Sequence, residues 1–507
     1  MMNHLPVLIV LSPLVAALLC PIVSYFNRRV GRFIVFCASL LSLVMAVFQM
    51  SLVVKNGEIH YWFGNYKPPY GIEFVIDSLS GVILIMISAI GFLSTIYSLA
   101  FFRNKSRFRS SGYYSMLSLL ICGLLGMTST GDVFNLYVFL EITSLSGYGL
   151  IAMGGDKGVL SAFRYLLIGT IGASFYLLGV AFLYGETGTL NMADMSGLVG
   201  PVLSSGTTMI AMTFFVIGFG IKMALFPLHG WQPAAYTNAH PGAAPLITGV
   251  MGKIPAYAML RFFFYVFNAN TASVASFLVI VGIMSCAGMI YGSLLAIRQK
   301  DFRKMLAYSS VAQIGYIGMG ISITGYYGLI GAALHILAHS CMKSCLFFCA
   351  GAIRFRYGES KMENFGQIYK KMPVVSLAMV IAALSMVGIP PFAGFFSKWY
   401  LALGAVNSDL KIYVVVLVIS SLLNAIYFFR LIERIFMNKD ESLKELNVFP
   451  IKRDEEGQII TGPKSRFEIP VSMLIPVIVV MCAIVLLGIF NTKLVAVMSC
   501  AISEVAF

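Results

Sequence analysis

The chain has 507 residues, of which 59% are hydrophobic and only 11% charged, too few polar side chains to cover a water-soluble body of this size. Its formal charge of +14 would suit nucleic acid, but the basic residues are divided among short loops rather than gathered into a face or tail, which argues against such a partner. What remains is an integral membrane protein surrounded by the lipid bilayer.

Apolar runs of about 20 residues, enough to cross a hydrocarbon layer of ~30 Å, recur from end to end. In chain order they cover 5–25, 32–54, 75–101, 113–128, 133–153, 161–184, 207–228, 242–265, 272–297, 303–322, 326–353, 374–402, 412–436 and 469–490. Lipid-facing barrel strands would alternate polar and apolar residues, and these runs do not, so the spans are predicted as helices. The expected fold class is an all-α polytopic membrane protein of about 14 transmembrane helices.

Assigning the loops alternately to the two sides gathers most of the 35 Lys and Arg on one side, Arg303 among them, and leaves Lys55, Lys67, Arg261, Lys411 and Lys493 on the other. The positive-inside rule makes the rich side cytoplasmic and puts both termini outside, in the cytoplasmic membrane of a prokaryote. The opening "MMNHLPVLIV" lacks a basic n-region and cleavage site, so the first span is expected to be retained. Nine cysteines without CxxC spacing read as small core residues, not as disulfides or metal ligands. The polar, mixed-charge stretch 437–468 reads as a cytoplasmic loop and a candidate contact for neighbouring subunits.

A coarse internal symmetry follows. Span seven carries Lys222 and Pro227, span eight Lys253 and Pro255, and span twelve "GIPPFAGFFSKW", with Pro390 and Pro391 ahead of Lys398. Spans 4–8 and 9–13 then form two five-helix repeats, inverted because five is odd, with helices seven and twelve broken. The expected units are 1–112 with helices 1–3, repeats at 113–265 and 272–436, the 437–468 loop, and 469–507 with helix 14 and the tail.

Charged residues deep in the spans are few: Glu141, Lys222, Lys253, Lys343 and Lys398, with Asp77 near the outer end of span three. A single intramembrane lysine is often a snorkelling side chain or half of a structural ion pair. Five groups together point to a hydrated route for ions. Glu141 is followed by Thr143, Ser144, Ser146 and Gly147, a small polar face that water can enter. A Glu141–Lys222 contact would be a two-state electrostatic element, because desolvation opposes both charges while proximity restores them. Pro227 donates no backbone hydrogen bond and so should free carbonyls near Lys222 for water or a cation, and Pro390 and Pro391 should do the same near Lys398. His335, His339 and Lys343 follow at steps of four on one helical stripe, and histidine titrates nearest neutrality, which suits a relay. His229 and His240 flank the loop after span seven and are weaker candidates for a link to the cytoplasm.

These residues resemble the antiporter-like subunit family shared by Mrp-type cation/proton antiporters, membrane-bound hydrogenases and respiratory complex I, over about residues 73–436. "GDVFNLYVFLEITSLSGYGLIA" resembles the segment with the family's glutamate, "KMALFPLHGWQP" its broken seventh helix, "DFRKMLAYSSVAQIGYIGMG" and "LHILAHSCMKSCLFFCAGAI" helices ten and eleven, and "GIPPFAGFFSKW" broken helix twelve. The resemblance is strongest to the D-type member of the Mrp antiporters. It implies fourteen helices with inverted repeats and a mid-membrane chain of protonatable residues, here Glu141, Lys222, Lys253, His335, His339, Lys343 and Lys398. Two departures stand out: Ala234, Ala235 and Tyr236 replace an Asp-Ala-His triplet, and Gln313 stands where many members have histidine.

The function this implies is proton translocation as one membrane subunit of a multisubunit complex, with other membrane subunits as partners and sodium as a candidate counter-ion. The alternatives are the pumping subunit of complex I or a membrane-bound hydrogenase, and a solute permease; a row of lysines rather than one clustered pocket counts against the last. No flavin fingerprint, haem motif or cysteine cluster is present in the sequence, so no catalytic centre, cofactor or metal is expected in this chain.

Overall fold

The computed structural model describes residues 4–103, 106–269, 271–437, 452–453, 459–460 and 468–506. Ten helices among the described residues are long and apolar enough to cross a membrane, and the fold is that of a helical membrane protein. The predicted loop 437–468 lies largely outside the described residues.

The chain begins with α1 (Leu5–Phe26), α2 (Arg28–Asn56), a hairpin of β1 (Ile59–Trp62) and β2 (Glu73–Ile76), α3 (Ser78–Ser98) and α4 (Arg107–Ser129). Helix α1 contains Pro13 and Pro21, which supply no amide hydrogen and leave the carbonyls four residues earlier without helical partners. Ser42 of α2 donates to Ile9 O at 3.2 Å, and Ser115 of α4 donates to Ala17 O at 2.7 Å. Each carbonyl released by a proline is thus taken by a serine of a neighbouring helix, which places α1 against α2 and α4.

The hairpin pairs antiparallel, with Ile59 opposite Ile76 and Trp62 opposite Glu73. A helix-only reading of the sequence misses it, because four-residue strands separated by a Gly- and Pro-containing loop leave too short a pattern. It is stitched to the chain ahead of the next helix: Gly131 N donates to Glu73 O at 2.9 Å.

Next come α5 (Val133–Ala152), α6 (Asp156–Thr187), short α7 (Met192–Val199), α8 (Gly206–Met223), α9 (Gln232–Asn238), α10 (Ala244–Leu246), α11 (Ile254–Arg261) and α12 (Ala272–Ile297). Asp132 caps α5 by accepting from Asn135 N at 2.6 Å, as its type and position favour. The run 242–265 is not one regular helix. A wide π-type turn at Ile247–Met251 separates α10 from α11, and a second, Phe262–Val266, follows α11. Gly249 and Gly252 weaken the helix there and Pro255 cannot return a bond to Met251.

The second half holds α13 (Phe302–Ser322), α14 (Tyr326–Tyr357), short α15 (Ile368–Lys371), α16 (Pro373–Val387), α17 (Ala393–Asn407) and α18 (Lys411–Phe436), then the two-residue strands β3 (Lys452–Arg453) and β4 (Ile459–Ile460), α19 (Val471–Ile489) and α20 (Asn491–Ala506). Helix α14 is interior along its apolar length, whereas α1, α2, α6, α12, α18 and α19 keep exposed apolar faces suited to lipid. Glu468 tethers the start of α16, its carboxylate accepting from Val374 N at 2.7 Å and Val375 N at 3.3 Å, where the helix dipole favours an anion.

Three placements differ from the sequence reading. Arg261 and Arg303, assigned to loops, are largely buried; both stand at helix ends where a loop charge and an inward charge look alike. The cysteines are not uniformly core: Cys37, Cys482 and Cys500 are exposed, while Cys20, Cys122, Cys341, Cys345 and Cys349 are buried.

Candidate ion path

Lys222 lies in the last turn of α8, 3% exposed. Its Nζ donates to Glu141 Oε1 at 3.2 Å and to Ser144 Oγ at 2.7 Å, both on α5 and three residues apart, so one helical face offers both acceptors. Helix α8 ends because Ala224 adopts the left-handed conformation at φ 62°, a strained setting for a residue with a side chain. Two carbonyls of this helix end are taken within the protein. Gly220 O accepts from Leu225 N at 2.8 Å, and Ile221 O accepts from Ala224 N at 3.1 Å and from the Trp231 indole at 2.9 Å. Trp231 is itself fixed by stacking on Tyr165, ring centroids 3.7 Å apart.

Lys253 stands between the first π-type turn and α11, fully buried, and donates to Thr248 O. Beside it Gly252 faces Tyr236 Oη, Met223 O and Gln232 Nε2. Tyr236, one of the departures from the family pattern, therefore stands next to Lys253 on the side of α8. His240 does not take that place: it packs among Phe101, Phe102 and Tyr113. His229 lies between Phe226 and Tyr291.

The stripe on α14 is entirely buried. His335 meets Ser397 Oγ through Nδ1 at 2.9 Å and Gln313 Oε1 through Nε2 at 3.0 Å, so Gln313 serves it as a hydrogen-bond partner. A proton on Nε2 satisfies both contacts. His339 stacks on His335 at 5.8 Å, and neither of its ring nitrogens has a partner among the described residues. Lys343 donates to Leu306 O at 2.6 Å and Ser309 Oγ at 2.5 Å. Lys253 is close enough to act electrostatically on His335, His339 and Lys343, and Lys398 on His335.

At the second break the released carbonyls hold an ammonium. Helix α16 ends at Gly388, whose φ of 95° favours glycine. Lys398, on α17, turns back to donate to Met386 O at 3.0 Å, Val387 O at 2.8 Å and Ser421 Oγ at 3.3 Å, with the Tyr316 ring 4.9 Å from Nζ. Helix α19 covers this break: a Cβ at Gly488 would lie 2.0 Å from Pro391 O, so only glycine permits the approach.

The structure thus brings Glu141 to Lys222, gathers Lys253, His335, His339 and Lys343, and connects His335 to the Lys398 helix through Ser397. Sequence reasoning named Asp77, Arg261 and Arg303 without their partners, and missed Glu73. Asp77 forms an ion pair with Arg261, whose Nε also donates to Tyr257 Oη at 2.9 Å. Arg303 donates to Ala239 O at 2.6 Å, past the C-terminal end of α9, where a cation suits the dipole. Outside the membrane spans, the buried carboxylate of Glu73 receives His60 Nδ1 at 2.7 Å, Trp62 Nε1 at 2.9 Å and Asn191 Nδ2 at 2.8 Å. Burial opposes charging of His60, but Glu58 and Glu73 outweigh it and hold the imidazole above its ordinary value.

Known proteins carry the same arrangement of helices. The chain is 42% identical over 497 residues to the N-type member of the NADH-quinone oxidoreductase of Desulforudis audaxviator, covering 98% of each. It is 33% identical over 409 residues to the D-type member of the Na(+)/H(+) antiporter of Alkalihalophilus pseudofirmus, covering 80% of this chain and 81% of that one. Among solved structures, a chain of the Mrp complex from Dietzia sp. superposes with a TM-score of 0.88 at 25% identity, covering 99% of this chain and 97% of that one. A chain of the archaeal membrane-bound sulfane sulfur reductase gives 0.86 at 27%, covering 99% and 98%. The family described as "NADH:quinone oxidoreductase/Mrp antiporter, TM" matches residues 130–424, and with these relatives the chain belongs to it.

Proposed function

We propose that the chain is a proton-translocating membrane subunit of a multisubunit complex, and that protons pass along Glu141, Lys222, Lys253, His335, His339, Lys343 and Lys398. One observation carries this reading: four buried lysines share a single carboxylate. Lys222, Lys253, Lys343 and Lys398 are each at most 6% exposed, yet among the described residues only Lys222 meets an acid. Four full charges with one counter-ion in a low-dielectric interior are costly. The row is most stable with fewer than four of its lysines protonated, which leaves neutral amines able to take up a proton.

The proposed topology has fourteen spans, with inverted repeats at 113–265 and 272–436 flanked by 1–112, 437–468 and 469–507, and both termini outside. The interruption of α8 beside Lys222 and of α16–α17 beside Lys398 supports the repeat. The proposed partners are other membrane subunits and lipid, with sodium as a candidate counter-ion and a prokaryotic cytoplasmic membrane as the setting.

Two energy sources fit this reading, a secondary sodium/proton exchange and a redox-driven pump. The 42% identity to a protein named as part of a quinone oxidoreductase favours the pump. Affinity purification of the complex through a tag on this chain, followed by identification of the proteins it carries, decides between them: redox proteins mark a pump, small antiporter proteins alone an exchanger. Proton movement in everted vesicles that is unchanged when the chain is deleted would overturn both.

A further inference from the structure

The stripe on α14 is not a continuous hydrogen-bonded chain, because His339 has no bonded nitrogen among the described residues. A different set of side chains, on α13 and α18, runs from Lys343 to Lys398 on α17. Lys343 donates to Ser309 Oγ at 2.5 Å, Ser309 Oγ donates to Leu306 O at 3.0 Å, and Tyr427 stands beside Ser309. Tyr427 Oη donates to Asn424 Oδ1 at 2.6 Å, and Asn424 Nδ2 donates to Tyr316 Oη at 3.3 Å. Tyr316 Oη lies 3.2 Å from Ser421 Oγ, which is 3.3 Å from Lys398 Nζ. Ser309, Tyr316, Asn424 and Tyr427 are completely buried. Ser421, Asn424 and Tyr427 follow on α18 at steps of three, so they share a helix face.

We propose that Tyr427, Asn424 and Tyr316 are positioning residues that couple the charge of Lys343 to that of Lys398. This rests on the proton-path reading given above.

The amide gives the chain a direction. Asn424 can only accept at Oδ1 and only donate at Nδ2, so Tyr427 must donate to it and Tyr316 must receive from it. With Lys343 charged, Lys398 neutral and the Ser309 hydrogen turned from Leu306 O to Tyr427, every link points the same way: Lys343 to Ser309, Ser309 to Tyr427, Tyr427 to Asn424, Asn424 to Tyr316, Tyr316 to Ser421, and Ser421 to the free electron pair of Lys398. Such aligned bonds polarise and strengthen one another. When Lys398 is charged it becomes a donor to Ser421, that last link turns round, and the alignment no longer runs through to Lys398. The chain therefore favours charge on one lysine at a time. A proton arriving at Lys343 is felt at Lys398 as a push to release its own. No bond other than these hydrogen bonds changes in the coupling itself.

The test uses the intact complex in everted vesicles, with proton movement followed by a pH-sensitive amine dye. Tyr427→Phe and Tyr316→Phe each remove one hydroxyl and keep the ring. Each is expected to slow proton movement by roughly tenfold, the loss of one to two hydrogen bonds at the rate-setting step. The double variant is expected to match the single ones, because links in series fail once. Tyr176→Phe serves as the control for losing a buried hydroxyl that bonds only a backbone carbonyl, and it should retain the parent rate. A parent rate in either single variant, or losses that multiply in the double, would overturn the proposal. Lys343→Ala and Lys398→Ala are measured alongside. If these stop transport while the tyrosine variants do not, only the coupling is wrong; if they too keep the parent rate, the proton path itself fails.

Discussion

A quarter of the Glu141 side chain is exposed, whereas only 2% of the Lys222 side chain, 3.2 Å away, is. The pair is therefore reached from the acid side. Anything that neutralises or draws off the carboxylate leaves Lys222 with Ser144 as its remaining hydrogen-bond acceptor, and a buried ammonium without a counter-ion is unstable.

Glu141→Ala, Lys222→Ala and Lys398→Ala are each expected to lower proton movement by about a hundredfold or more, the usual scale for losing a proton-transferring group. The amount of assembled complex should stay near the parent level. Vesicle transport combined with native gels checks both. Normal transport in the Lys222 variant would remove that residue from the path.

Asp77→Ala strands Arg261 inside the protein and removes the capping box that Asp77 forms with Ser80. The expected cost is about 3–5 kcal/mol for the stranded charge, plus about 1 kcal/mol for the cap. Replacing Arg261 by Met as well should recover most of the first amount and none of the second. Thermal unfolding of the purified complex with and without the second substitution measures the difference.

Ser115→Ala leaves Ala17 O, already released by Pro21, without its donor, at a cost of about 1–3 kcal/mol. In a background carrying Pro21→Ala, the helix supplies its own amide to Ala17, and the same serine change should cost much less. A double-substitution cycle on melting temperature tests this; equal costs in both backgrounds would refute the account of α1 packing.

The outer hairpin should loosen as pH rises. His60 bridges Glu58 and Glu73 at 2.9 and 2.7 Å, and Tyr265 is the other titratable group that senses those carboxylates. Because its folded value is raised, the stabilisation is complete below the unfolded value of about 6.5 and is lost as pH climbs through the folded value. Hydrogen exchange over residues 59–76, after correction for intrinsic rates, should show weaker protection at about pH 9 than at about pH 6. His60→Gln should flatten that dependence.

How much of this was legible in the sequence depends on how a residue contrasts with its neighbours. Glu141, Lys222, Lys343 and Lys398 stand out because a charge inside an apolar run has no bland explanation when it recurs, and the helix ends near Lys222 and Lys398 follow from nearby prolines. Tyr316, Asn424 and Tyr427 gave no such signal: tyrosine and asparagine on an apolar helix look alike whether they face lipid, a groove or each other. Arg261 and Arg303 misled in the other direction, since at a helix end only the packing shows which way an arginine turns. The hairpin was hidden by its length. That the Trp231 indole bonds Ile221 O near one break while Lys398 bonds Met386 O and Val387 O at the other depends on how the chain turns after each proline.

Arg261 lies inside the stretch 130–424 that defines the family, and its counter-ion Asp77 lies outside it. A shortened protein starting at residue 130 would keep every lysine of the row and still carry an interior guanidinium with nothing to neutralise it. The leading helices are for that reason not a detachable preface, and a minimal version of this molecule has to begin upstream of Asp77 or surrender Arg261.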